Sequence, residues 1–123
     1  MLHNILFVAM GGTIGAMLRY LLSKMIQGCV VSVFPLATFF INVLGCLLIG
    51  VLYGLFAKGI LISSDLKLLL ITGLCGGFTT FSTFSSESVT LLLQGYLFTF
   101  FLYIGGSLFI GMLFVYLGIK IVS

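Results

Sequence analysis

Gly73-Leu-Cys-Gly-Gly-Phe-Thr-Thr-Phe-Ser-Thr-Phe-Ser-Ser-Glu87 holds two adjacent glycines, six hydroxyl side chains and three phenylalanines, and it ends on a carboxylate. The chain around it is greasy. Glycine pairs weaken helices, hydroxyls solvate ions, and an ionisable group at membrane depth marks a functional site by default. A helix facing lipid has no use for such a run. It reads as the lining of a polar pathway, carried on a membrane-spanning helix interrupted at Gly76-Gly77.

Composition supports a membrane setting. Of 123 residues, 62% are hydrophobic and 6% charged, with mean hydropathy +1.42. A soluble domain carries about a quarter charged residues, so this chain has too few to cover a water-facing surface. The length allows one domain, residues 1–123. The net charge of +3 comes from Arg19, Lys24, Lys58, Lys67 and Lys120 against Asp65 and Glu87. These basic residues sit mostly at span ends, so they report topology and point to a lipid bilayer, with no nucleic acid as partner. Cys29, Cys46 and Cys75 lack C-x-x-C spacing and the chain has one histidine, His3, near the start. No disulfide and no zinc site is expected. The first apolar stretch has no basic leader region and runs on to Leu22, so it reads as an uncleaved span.

Four spans are expected: about 4–25, 36–57, 66–93 and 96–119. Each meets the roughly 20 residues that a crossing helix needs. Pro35 marks the start of the second span and Ser63-Ser64-Asp65 caps the third. Gln94-Gly95 makes a short link, predicting a tight antiparallel hairpin of spans three and four. The architecture is thus an all-α membrane protein of four transmembrane helices per subunit. Positive charge is nearly balanced, with Lys58, Lys67 and Lys120 on one side and Arg19 and Lys24 on the other. The chain can therefore insert both ways and pair with an inverted copy, or keep one orientation; charge alone leaves both open. Gly11-x-x-x-Gly15, Gly50-x-x-x-Gly54 and Gly73-x-x-x-Gly77 have small-residue spacing for close helix contact and point to a dimer.

Chemistry-bearing residues gather on three spans. In the second, Asn42, Cys46, Gly50 and Gly54 form one stripe at i, i+4 spacing. The Asn42 amide suits either a bond between helices or an ion. Arg19 lies roughly four turns into the first span, facing headgroups or a watery vestibule. The break at Gly76-Gly77, followed by Thr79-Thr80, frees several backbone carbonyls, which are hard oxygen ligands suited to an alkali cation. Phe81 and Phe84 share a helical face, with Ser82 and Thr83 interleaved. That spacing fits plain packing, or ring edges of positive potential turned to a small anion. Glu87 anchors the span end or belongs to the pathway. Tyr103 and Ser107 add a thinner polar stripe on the fourth span.

These motifs together resemble the Fluc family of fluoride channels over essentially the whole chain. The residues that carry the resemblance are Gly11-Gly12-x-x-Gly15-Ala16-x-x-Arg19-Tyr20, Thr38-Phe39-x-x-Asn42-x-x-Gly45 and the run from Gly73 to Glu87. The resemblance implies an antiparallel, dual-topology homodimer with two pores in the cell membrane. It implies a structural sodium ion at the dimer interface, held by backbone carbonyls of Gly76 and Thr79. It implies a fluoride ion pathway through Asn42, Phe81, Phe84, Ser82, Thr83, Tyr103 and Ser107. By the same resemblance Arg19 is the vestibule arginine and Glu87 the third-span glutamate. Gly111 stands where some members carry another serine. An unfused four-span unit fits a prokaryotic source.

Passive export suits an anion that enters cells as its neutral acid, and no nucleophile–base pair or nucleotide motif suggests an enzyme. The rival reading is a small proton-coupled, dual-topology exporter of cations, driven by Glu87. It lacks a tryptophan to cage an organic cation.

Overall fold

The computed structural model describes residues 1–29, 33–59 and 63–122. Among these described residues, four helical segments are long and apolar enough to cross a membrane: Leu2–Cys29, Leu36–Ala57, Ser64–Leu93 and Leu97–Val122. The chain is an all-helical, multi-pass membrane protein. The first, second and fourth segments are single helices, α1 (Leu2–Cys29), α2 (Leu36–Ala57) and α6 (Leu97–Val122). The third is composite: α3 (Ser64–Lys67), a π-helical stretch (Leu68–Cys75), α4 (Gly76–Phe78) and α5 (Phe81–Leu93).

Local chemistry explains the boundaries. Pro35 occupies the N-cap of α2, where its missing amide hydrogen costs nothing. Ser63 caps α3 by accepting from the Leu66 amide at 3.3 Å. Gly95 turns the chain between α5 and α6 at φ +85°, a conformation that other residues adopt only at a cost. The first span is longer than expected at both ends, because nothing between Leu2 and Cys29 stops a helix.

The glycine break moves. Gly76 has ordinary helical dihedrals (φ −63°, ψ −38°) and Gly77 lies within α4. The backbone becomes extended three residues later, at Thr79 (φ −87°, ψ 159°) and Thr80 (φ −146°, ψ 123°). Glycine inside a helix costs only about 1 kcal/mol, too little to end one by itself. Two β-branched residues in sequence favour extended backbone, and each has a partner waiting for it, as described below. Gly77 is small for another reason: a Cβ there would lie 2.7 Å from the Gly12 carbonyl oxygen.

Close helix contact does use the predicted small-residue pairs, but inside the subunit. A Cβ on Gly11 or Gly15 would strike the backbone of the third span at Leu69 and Leu74. One on Gly73 would lie 2.8 Å from the Val8 carbonyl and 2.9 Å from the Gly11 Cα. On the other side of the bundle, Gly50 and Gly118 bring α2 and α6 together, backbone against backbone, at Val115 and Val51. The three pairs are therefore spent on holding one subunit together and no longer speak for a dimer. A His3–Asp65 pair at 3.0 Å joins the start of α1 to the start of α3.

The α1 contact predicts a sharp contrast. Gly73→Val should cost about 1–3 kcal/mol by overpacking and lower the melting temperature of the purified protein in detergent. Gly28→Ala, where a Cβ meets nothing within 4 Å, should leave that temperature unchanged or slightly raised.

Candidate functional site

The two extended residues strand backbone groups that a continuous helix would pair. Inside a membrane each unpaired group costs several kcal/mol, so partners must come from elsewhere. The Thr80 amide donates to Asn42 Oδ1 at 3.0 Å, and Asn42 Nδ2 donates to the Thr80 carbonyl at 3.1 Å. That reciprocal pair fixes the orientation of the amide, because a backbone N–H can meet only its oxygen. The Gly77 carbonyl, which would have accepted from Phe81, instead accepts from Arg19 Nε at 3.1 Å. Thr80 then caps α5, its hydroxyl accepting from the Thr83 amide at 3.3 Å.

Thr79 faces the opposite way. Its hydroxyl and amide both donate to the Cys75 carbonyl, at 2.9 and 3.0 Å. Its methyl packs where a Cβ on Gly45 would sit, which explains the glycine one turn along from Asn42. With the Thr80 amide turned to Asn42 and the Thr83 amide to the Thr80 hydroxyl, the carbonyls of Gly76 and Thr79 lose their ordinary helical donors.

Beside this interruption lies a cavity of about 420 Å³. It is lined by Asn42, Gly76, Thr79, Thr80, Phe81, Phe84 and Ser107, together with Cys46, Cys75 and aliphatic side chains. The Ser107 hydroxyl is buried and has no hydrogen-bond partner among the described residues. Asn42 keeps one Nδ2 hydrogen beyond the bond to Thr80. The Phe81 and Phe84 rings have centroids 6.1 Å apart and planes tilted by 45°, so they are not stacked and their positive rims remain available. Phe81 is 79% exposed and the neighbouring Ser82 is exposed as well.

A second cavity of about 300 Å³ opens near the far end of α5, lined by Gln27, Phe34, Glu87, Thr90 and Gln94 among others. Tyr103 touches residues that line each of them. Its ring meets Phe84 at 5.0 Å and Phe34 at 5.4 Å, and its hydroxyl donates to Glu87 Oε1 at 3.1 Å. Tyr103 is fully buried.

The structure thus brings Asn42, Phe81, Phe84, Ser107, Gly76 and Thr79 to one cavity, with Tyr103 at its edge. Ser82 and Thr83 do not line it: Ser82 points outward from α5, and Thr83 lies in the first turn of that helix. Arg19 is not among the residues lining either cavity; its Nε donates to the Gly77 carbonyl. Glu87 lies six residues before the end of α5, about 9 Å along the axis, and its carboxylate accepts from the Tyr103 hydroxyl. Sequence reasoning missed Thr80 as the residue gripped by Asn42, although a threonine before Phe81 carries an N-cap signal. It also missed Phe34, which no pattern marks.

The family model described as CrcB-like protein, Camphor Resistance (CrcB), matches residues 6–119. The chain belongs to the CrcB-like family. It is 50% identical over 118 residues to a protein of Phocaeicola vulgatus, covering 96% of this chain and 97% of the relative. It is 45% identical over 120 residues to a protein of Flavobacterium psychrophilum, covering 98% and 97%. A Thermus thermophilus protein is 42% identical over 120 residues, covering 98% and 95%. All three relatives carry the name fluoride-specific ion channel FluC.

The bond pair at Thr80 generates a direct test. Asn42→Ala orphans one donor and one acceptor, each costing about 1–3 kcal/mol. Hydrogen–deuterium exchange in a peptide spanning residues 79–84 should rise in the variant, along with a lower melting temperature. Unchanged exchange there would show that Asn42 does not hold the extended segment.

Proposed function

We propose that this protein is a fluoride-selective channel that lets the anion leave the cell passively, and that it performs no enzymatic reaction. The observation that carries the reading is the cavity beside Thr80. A serine hydroxyl that is buried and unpartnered among the described residues, the Asn42 amide and two phenylalanine rings line one space there. The names of the relatives agree with it. Removing water from a small anion costs tens of kcal/mol in an apolar medium if uncompensated. Neutral donors repay that cost without the tight binding that a fixed positive charge would impose. Tyr103 and Glu87 continue the route toward the second cavity, where the tyrosine hydroxyl occupies one carboxylate oxygen.

The functional unit in this reading is an antiparallel homodimer with two pores. Two features support a partner: Phe81 is 79% exposed at membrane depth, and Ser82 and Ser86 on α5 are exposed beside it. Hydroxyls and a ring displayed together ask for protein cover. Inverted pairing would bring the interruptions of two third spans together about an axis in the membrane plane. Sodium fits there. The carbonyls of Gly76 and Thr79, relieved of helical donors, are the hard oxygens that such an ion takes, and a sodium ion would neutralise their converging dipoles. Arg19 and Asn42 serve this arrangement by holding the backbone that presents those carbonyls.

Two experiments test the reading. Reconstituted in liposomes, the protein should release fluoride rapidly and electrogenically without a proton gradient, and Phe84→Ile should slow that release by about tenfold or more, equivalent to at least about 1.4 kcal/mol. Cation transport that needs a proton gradient and is lost in Glu87→Gln would establish the exporter in its place. For topology, exposed Cys29 at the end of α1 is a native probe. An impermeant maleimide should reach part of the population from each side of the cell membrane; labelling from one side alone refutes the inverted dimer.

A further inference from the structure

The cavity beside Thr80 contains chemistry that halide passage does not require. Cys46 and Cys75 both line it, one from α2 and one from the π-helical stretch of the third span. Cys46 follows Asn42 by one helical turn on the same face. Its Sγ fills the space next to Gly111, where an added Cβ would lie 3.3 Å from the sulfur. Cys75 is 2% exposed. Both thiols are free, and the buried Ser107 hydroxyl on the same wall has no partner among the described residues. The third cysteine, Cys29, is exposed at the end of α1 and lies outside the cavity.

We propose that Cys46 and Cys75 form a binding site for a soft, thiophilic monovalent cation of the Ag⁺ or Cu⁺ class, and that its occupation closes the pathway. Sulfur ligands select such ions, whereas carbonyl oxygens do not, so this site is chemically separate from the hard oxygens of Gly76 and Thr79. On binding, the Cys46 S–H bond breaks and its proton passes to water. The sulfur then bonds to the ion, while Cys75 donates a lone pair as a neutral thiol. One thiolate and one monovalent cation give a neutral complex, which suits an apolar wall. The metal keeps its oxidation state. A metal ion beside Asn42 and Ser107 occupies the space through which an anion must pass. The block itself rests on the channel reading; the binding does not.

Silver ion in chloride-free nitrate buffer is the probe, and two readouts keep the claims apart. In detergent, Ag⁺ should protect Cys46 and Cys75, within the intact protein, from alkylation by N-ethylmaleimide, read by peptide mass. In liposomes, Ag⁺ should slow fluoride efflux about tenfold or more in the wild type and in Cys29→Ser, and the ratio with and without Ag⁺ should fall to near unity in Cys46→Ser. Taking the ratio within each variant removes any effect on basal rate or yield. Alkylation of Cys46 unaffected by Ag⁺ overturns the site. Protection without slowed efflux overturns the placement of the thiols in the pathway. A wild type that protects Cys46 but conducts no fluoride at all upholds the site while refuting the channel.

Discussion

Two extended residues inside a membrane-spanning segment set the terms for the rest of this protein. Lipid offers no hydrogen bonds, so every group released at Thr79 and Thr80 must be met by protein, ion or water. Asn42 meets both polar groups of Thr80, and Arg19 meets the carbonyl of Gly77. These two polar side chains, costly at such depth, are tolerated because the interruption needs them. The carbonyls they leave unpaired, and the cavity that opens next to them, are what remains for function.

That arrangement demands close packing around it. Extended backbone and an arginine side chain fit between the spans only if the spans approach closely elsewhere. Gly11, Gly15, Gly73 and Gly77 remove side chains where α1 meets the third span, and Gly45 removes one where the Thr79 methyl lies. Gly50 and Gly118 do the same for α2 and α6. Glycine weakens each helix by up to about 1 kcal/mol, but here it allows backbones to meet directly, which is a strong contact available to helices that cannot gain from hydrophobic burial in lipid.

Much of this was legible from residue patterns. Four apolar runs of sufficient length fixed the spans, and Pro35, Ser63 and Gly95 fixed their ends within a few residues. Asn42, Phe81, Phe84 and Ser107 stood out because polar and aromatic residues recur at helical spacing in otherwise aliphatic segments. The position of the interruption was misjudged because glycine was weighed as a helix breaker. The threonines after it carry the extended preference, and Asn42, the partner of Thr80, lies on another helix. The contact that Arg19 makes was not foreseen for a related reason. A charge at depth announces that it needs a partner, but a backbone carbonyl in a distant segment leaves no mark in composition.

The residues alone determine that this chain crosses the membrane four times and carries a run of hydroxyl and aromatic residues in its third span, because hydropathy and side-chain chemistry act locally. Tertiary structure decides which polar groups are used up in holding the backbone and which stay open to an ion. Asn42, Arg19 and Glu87 have similar standing as polar residues in apolar segments. Only the packing of α1, α2 and α6 around Thr80 and Tyr103 separates the groups that support the site from those that line it, since hydrogen-bond partners distant in sequence are chosen by geometry.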